Sequence, residues 1–361
     1  MPASGTIIID ALAARYGGTA HAGVELAHHL ADHPGEIIVV TREGSLVSQG
    51  IRPRPGLRLM TLRCPNRYEL ARRLLWEGFV LPGLVRRSGA STVLTMSGML
   101  PRAVGAPVVS YLQNPVMFEQ QGIANYLRRW AVRRTGRWAR HVLVPTTAMA
   151  ARVAEVVGLQ AEVVPYGLDH RRFRPPSEPG TDVICVADFY RHKRQDVLLE
   201  AWASLPSPRP RLRLIGDVRV DTSWYAQVAA QAENYRDLGD IALSPRIPLP
   251  EIVAAYHSAR VFALPSQHES FCLPVLEAQA CGVPTVVRDI PVLRETGGTG
   301  ASYVAGDDPA PWAEALRRLV TDDYAHTTAR AQGLDHARRF SWEQTAAAFR
   351  SRLLVSEDAV S

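Results

Sequence analysis

The sequence predicts an α/β protein built from two doubly wound domains, each a parallel sheet covered by helices on both faces. Three observations carry this expectation. At 361 residues, the chain is longer than one hydrophobic core usually supports, so two domains of roughly 150 to 200 residues are the natural division. Short β-branched runs alternate with longer helical stretches, the pattern of strands buried on both faces by crossover helices. That alternation occurs twice, in two series separated by a segment rich in proline, glycine and charge.

In the first series the strands are "TIIID" (6–10), "EIIVVT" (36–41), "STVLTM" (91–96), "PVVSYL" (107–112) and "HVLVP" (141–145). Helix-length stretches such as "GVELAHHLADH" and "YELARRLLWEGFVLPGLVRRS" lie between them. The pattern breaks at "VVPYGLDHRRFRPPSEPGTD" (163–182), read as the interdomain linker. A second series follows, with "VICVA", "LRLIG", "VFALP", "TVVR" and "SYVAG" as strands, and "RQDVLLEAWASL" and "LPEIVAAYHSA" as helices. The expected organisation is a first domain over 1–168, a second over 169–341, and a helix within 342–361, "SWEQTAAAFRSRLLV", that packs back on the first domain. Sheets of this kind bind ligands outside the carboxyl ends of their strands, so a cleft between two such edges is expected.

The balance of 47% apolar and 21% charged residues fits a soluble globular protein. The N-terminal stretch has no basic region followed by an apolar run, and no stretch of about 18 apolar residues occurs, so a cytoplasmic protein is expected. Cys64, Cys185, Cys272 and Cys281 lack C-x-x-C spacing and read as reduced thiols rather than as disulfides or zinc ligands. The net charge of +6 points to an anionic partner. Its densest source is "YLRRWAVRRTGRWARH" (126–141). The first reading is a surface helix with Leu127, Trp130, Ala131 and Trp138 turned to the core and Arg128, Arg129, Arg133, Arg137 and Arg140 outside. The second is a face for an anionic acceptor or for peripheral contact at the inner side of an anionic membrane. Nucleic acid is not expected, because no recognisable binding motif accompanies the charge.

The chemistry is concentrated in "ALPSQHESFCLPVLEAQACGVPTVV" (263–287). A strand ends at Leu264, a polar loop follows, and a helix starts near Leu273 with Pro274 in its first turn, where proline is tolerated. Gly282 caps it before the next strand. Residues 269 to 274 thus sit at a helix N-terminus on the carboxyl edge of a sheet, where backbone N–H groups suit a pyrophosphate. Glu269 and Glu277 flank the helix start. Upstream, "FYRHKRQD" holds Lys193, the only lysine among 41 basic residues of the Lys and Arg types.

Taken together, "RYGGTAHAGVELAHHL", "VVPYGLD", "FYRHKRQDVLLEAW", the Glu269/Glu277 stretch, "IPVLRETGG" and "FSWEQTAAAF" resemble a GT-B glycosyltransferase of family 4, with two Rossmann-like domains facing each other across a cleft. The resemblance covers nearly the whole chain. It implies a retaining, nucleotide-sugar-dependent transferase with the acceptor on the first domain and the donor on the second. Carried over, it gives Glu269 the donor sugar hydroxyls and Glu277 the ribose, roles that suit carboxylates because they accept bonds from a diol. Backbone amides from Phe271, Cys272 and Leu273 meet the donor phosphates, and Lys193 with Arg191 stabilises the departing pyrophosphate. A compact ammonium places its charge among several oxygens, where a planar guanidinium demands a fork. Gly17 and Gly18 form the first-domain loop that approaches donor or acceptor.

Two departures from the family pattern stand out. Cys272 occupies a place where many members have glycine, which puts a side chain beside the phosphate loop. Gln113 and Asn114 stand where many members have a first-domain histidine, and with His268 they complete the cleft candidates. No D-x-D in a loop context occurs, so neither metal nor cofactor is expected. The expected partners are a nucleotide-sugar and a hydroxyl acceptor, which is a saccharide, a lipid-linked saccharide or a natural-product aglycone. The rival readings are an epimerase on the same architecture and a catalytically silent nucleotide-sugar-binding protein. A pyridoxal-dependent phosphorylase would need a Schiff-base lysine, and the one lysine is already assigned.

Overall fold

The computed structural model describes residues 5–14, 17–32, 35–63, 69–119 and 121–354. Cys64 lies outside the described residues. The chain divides into two compact units. One is formed by the residues up to Gly167 with those from Trp342 on, the other by Leu168–Ser341.

The first unit runs β1 (Thr6–Asp10), α1 (Gly17–Leu30), β2 (Ile37–Arg42), α2 (Leu46–Gly50), β3 (Leu57–Leu62), α3 (Glu69–Leu75), a π turn (Trp76–Val80), α4 (Leu81–Ser88) and β4 (Ala90–Thr95). It continues through β5 (Val108–Tyr111), α5 (Val116–Glu119), α6 (Ile123–Gly136), β6 (His141–Val144), α7 (Thr147–Val157) and β7 (Glu162–Val163). The strands form one parallel sheet in the order β3-β2-β1-β4-β5-β6-β7. Ile7, Ile8, Ile9 and Ile37 to Val40 are buried, as both-face coverage of a parallel sheet requires. The chain order reverses at β1/β4, so the loops after these two strands meet at the switch point.

The stretch 68–88 reads as one helix in sequence, but a π turn splits it between α3 and α4. The extra residue in that turn shifts the helix phase, a feature common at functional sites. Here Glu77, within the turn, is fully buried.

Helix α6 is oriented differently from its first sequence reading. Its buried residues are Asn125, Val132 and Thr135, while Leu127 and Trp130 are 56% and 54% exposed. Thr135 anchors the helix by bonding both the N–H and the carbonyl of Leu100. Arg133 is exposed as expected and Arg129 half-buried, and they donate to main-chain carbonyls of Met117 and Val157. The last of these closes the carboxyl end of α7, where unsatisfied carbonyls attract a cation. Backbone needs of the neighbouring helices set this orientation, and an apolar count along α6 cannot see them. Trp138, just beyond the helix, does pack on the core.

The second unit runs β8 (Asp182–Val186), a 3-10 turn (Arg191–Lys193), α8 (Gln195–Ala203), β9 (Leu212–Gly216), α9 (Thr222–Asn234), β10 (Ile241–Pro245), α10 (Leu249–His257) and β11 (Ala259–Leu264). It ends with α11 (Leu273–Ala280), β12 (Thr285–Arg288), α12 (Pro291–Gly297), β13 (Ala301–Val304), α13 (Pro309–Thr321) and α14 (Asp323–Ala337). Its six parallel strands are ordered β10-β9-β8-β11-β12-β13, with the reversal at β8/β11. Trp202 and Trp312 are fully buried, each indole N–H satisfied by a main-chain carbonyl, of Pro210 and Gly306. Gly216 ends β9 so close to the Ala187 carbonyl that any side chain there would collide with it.

The last helix, α15 (Trp342–Leu353), belongs to the first unit. It packs on α1 and β4, burying Trp342, Ala346 and Phe349. The buried Thr92 hydroxyl donates to the Leu353 carbonyl at 2.6 Å, and Thr345 donates to the Pro165 carbonyl at 3.0 Å.

Candidate functional site

The two loops that meet at the switch point of the second sheet carry the residues singled out in the sequence. After β8 the chain enters the 3-10 turn and then Arg194, which takes a left-handed backbone (φ +52°) to start α8. After β11 it runs through Pro265–Cys272 into α11. A main-chain bond from Gln267 N–H to the His192 carbonyl, 2.8 Å, ties the two loops together. Asp307, in the loop after β13, accepts from Arg194, Arg288 and Gln267. Arg288 also donates to the Pro265 carbonyl. Three loops are thus cross-linked around one carboxylate.

Within this frame Lys193 Nζ donates to Glu269 Oε1 at 2.6 Å, with side chains 16% and 9% exposed. Burial opposes the ammonium, but Glu269, helped by Asp188, outweighs it and holds the Lys193 pKa above the ordinary lysine value. Lys193 therefore keeps its proton and its positive charge. Burial and the adjacent Lys193 push His192 down to about 4, so this imidazole is neutral at pH 7. Its ring stacks on Tyr190 and lies 6.1 Å from the His268 ring.

Helix α11 starts at Leu273, with Pro274 in its first turn. Cys272 precedes it with φ +80°, a conformation that costs an L residue roughly 1–2 kcal/mol. The buried Phe271 fixes the loop: its carbonyl accepts from Thr296 at 2.5 Å, and its ring meets Phe340 edge-on. The N-terminal turn of α11 consequently presents its backbone on the edge that carries Lys193. One turn on, Glu277 is buried and accepts from the Tyr256 hydroxyl at 2.8 Å. Burial, partly offset by that bond, raises its pKa to about 7. Gly282 follows with φ +71°, ending the helix as its sequence position predicts.

Several candidates fall elsewhere. Arg191 shares the turn with Lys193, but its guanidinium lies over the Trp224 ring, 5.1 Å from the centroid, on the α9 side. The neighbouring charge that Lys193 meets besides Glu269 is Asp188. Cation–aromatic attraction holds Arg191 to a residue far along the chain, a contact that spacing alone could not show. In the first unit Gln113 is buried within its own sheet layer. It is 3% exposed, its amide donates to the Met96 carbonyl, and its oxygen accepts from Tyr166 at 2.7 Å. Asn114 is exposed, its oxygen turning the chain into α5 through the Val116 N–H. Gly17 and Gly18 open α1, both exposed, with φ +64° at Gly17.

Sequence reasoning overlooked a buried acid pair at the other switch point. Asp10 ends β1, and Glu77 from the π turn lies against it, with Arg73 bonded to Glu77. Burial and the neighbouring Asp10 raise Glu77 to about 8, and burial raises Asp10 as well. The one available signal was an aspartate closing an otherwise apolar strand.

Two doubly wound parallel sheets, the second with a largely buried cation and a helix N-terminus at its switch point, define a GT-B architecture. Family models agree: "Glycosyltransferase Family 4" matches residues 16–172 and "Glycosyl transferases group 1" matches 169–335. The chain belongs to the GT-B glycosyltransferases of family 4. Among curated relatives, the D-inositol 3-phosphate glycosyltransferase of Corynebacterium jeikeium is 34% identical over 209 residues, 52% of this chain and 49% of that protein. The chain thus spans about half the length of the curated relatives it matches. Among solved structures, sucrose-phosphate synthase from Thermosynechococcus elongatus superposes with a TM-score of 0.80 at 20% identity, covering 96% of this chain and 98% of the other. Anabaena HepE in complex with UDP-glucose gives 0.80 at 16% identity, covering 96% and 99%.

Proposed function

We propose that the protein transfers a sugar from a nucleotide-sugar to a hydroxyl acceptor with retention of anomeric configuration and without a divalent metal. The observation that carries this reading is the Lys193–Glu269 pair beside the start of α11. In glycosyl transfer the bond from the anomeric carbon to the phosphate oxygen breaks while the bond to the acceptor oxygen forms. Negative charge grows on the departing diphosphate, and a fixed cation lowers that barrier. Lys193 supplies it, with amides of Phe271, Cys272 and Leu273 on the same phosphates. A departing phosphate oxygen takes the acceptor proton, so no protein nucleophile is required.

Glu269 has acceptor capacity beyond its single bond to Lys193 and receives donor sugar hydroxyls, while Glu277 receives the ribose. The relative named for UDP-glucose makes a UDP-sugar the first donor to try. The test is a thermal-shift series with UDP-, GDP-, ADP- and dTDP-sugars, with and without EDTA, since a ligand selective for the folded state raises Tm. One nucleotide should stand out, unchanged by EDTA and lost in Glu277→Ala. No shift with any of them would favour a protein without donor-dependent chemistry.

A further inference from the structure

Helices α3, α4 and α6 cover the same face of the first sheet. They lie on the crossovers β3→β4 and β5→β6, which step in the same direction, and right-handed connections of one direction share a face. Packing agrees: Leu81, Leu84 and Val85 of α4, Trp76 of the π turn and Trp138 after α6 enter one core cluster. The π turn and α6 also flank one loop, Gly78 facing Pro101 while Thr135 holds Leu100. Both helices begin near the carboxyl edge of the sheet.

The outer surface of these elements is unusually apolar. Ile123, Tyr126, Leu127 and Trp130 are 81%, 67%, 56% and 54% exposed, and the spacing continues the same α6 face to Arg134 and Arg137. On the neighbouring segment Leu70, Leu75 and Phe79 are 66%, 58% and 72% exposed. Scattered single apolar residues on a surface are ordinary, whereas a contiguous group rimmed by charge marks a binding face. The rim is mainly positive: the stretch 122–140 holds six arginines and no Asp or Glu, Arg86 and Arg87 close α4, both exposed, and Glu119 before α6 is paired with Arg152. A second copy of this face would be repelled by that charge.

We propose that this face docks the protein on an anionic lipid bilayer, aromatic and aliphatic side chains at the headgroup boundary and arginines on the lipid phosphates. No helix among the described residues is long and apolar enough to cross a membrane, so docking is peripheral. Resting on the transferase reading above, the proposal names the acceptor class: a lipid-linked saccharide delivered at the carboxyl edge of the first sheet.

The experiment is flotation of the full chain with phosphatidylcholine vesicles, with and without phosphatidylglycerol, at low and at molar salt. Two variants accompany it, Phe79→Ser/Trp130→Ser and Arg128→Gln/Arg134→Gln/Arg137→Gln. Arg129 and Arg133 are left alone because they hold main-chain carbonyls. The wild type should float only with the anionic vesicles and lose binding in salt. Each arginine near an anionic leaflet is worth roughly fivefold, so the charge variant should bind on the order of a hundredfold more weakly. The apolar variant should also weaken, with circular dichroism and donor thermal shifts unchanged in both. Absent flotation, equal flotation of the three proteins, or a self-associating wild type made monomeric by the variants would overturn the docking face. Tight duplex DNA binding lost in the charge variant, without vesicle binding, would do the same. Donor binding is read separately, so failure here leaves the transferase reading standing and the reverse is equally visible.

Discussion

At the carboxyl edge of the second sheet charge meets opposite charge: the largely buried Lys193 with Glu269, and the exposed Asp307 with Arg194 and Arg288. At the edge of the first sheet two acids, Asp10 and Glu77, are buried against each other beside Arg73, and the proton that burial keeps on Glu77 bonds one carboxyl to the other. The first arrangement fixes a charge; the second suppresses one by keeping its proton. A site that must meet a growing anion needs the former. The latter makes pH act on the fold of the first unit rather than on chemistry.

The largest test of that contrast is removal of the fixed charge. Lys193→Ala should lower kcat by about a hundred- to a thousandfold, the usual cost of one transition-state donor, while circular dichroism stays that of the wild type. Lys193→Arg should recover only part of this, because a fork replaces a point charge. Wild-type turnover in Lys193→Ala would remove the distinction between the two edges.

Next in size is Glu277. Its carboxyl, raised to about 7, must lose a proton before both oxygens accept from a diol. Donor affinity measured by titration calorimetry should therefore rise from pH 6 to pH 8. In Glu277→Gln it should be about tenfold weaker at the upper pH, the worth of one charge-assisted bond, and flat across the range.

The first-unit pair predicts a stability effect. Because Glu77 keeps its proton in the folded state up to about pH 8 but ionises near 4.5 when unfolded, its contribution is complete below 4.5 and lost as pH rises through 8. Glu77→Gln does not titrate, so its Tm relative to wild type should climb between pH 5 and pH 9. A constant difference would mean that the carboxyl is already charged.

The smallest expected effect is at Cys272. Glycine relieves its left-handed backbone but adds freedom to the unfolded chain, so Cys272→Gly should gain no more than about 1 kcal/mol in chemical denaturation.

The β-branched runs read as strands are found in both units, β1 and β9 at their expected bounds. Strand β12 falls where "TVVR" predicts it and α11 begins at Leu273, because Pro274 and Gly282 punctuate the chain chemically. β3, with only Leu57 buried at the sheet edge, β10, with none of its residues fully buried, and the two-residue β7 give no such signal. Lys193 was legible through its rarity, and Glu269 and Glu277 through spacing and context. The outward face of α6, the contact of Arg191 with Trp224, the locking of Gln113 by Tyr166 and the meeting of Asp10 with Glu77 were not. Each depends on a partner distant in sequence, and local patterns carry no information about such partners.

Helix α15 sets the order in which the molecule can be finished. The first unit lacks Trp342, Phe349 and the Thr92 cap until the last helix exists. On a ribosome elongating at about 5–20 residues per second, the opening domain therefore waits on the order of ten to forty seconds with part of its core unfilled. Of the two units, the one translated earlier is completed later, and a nascent chain stalled in the second unit carries a first unit that chaperones would still recognise as unfinished.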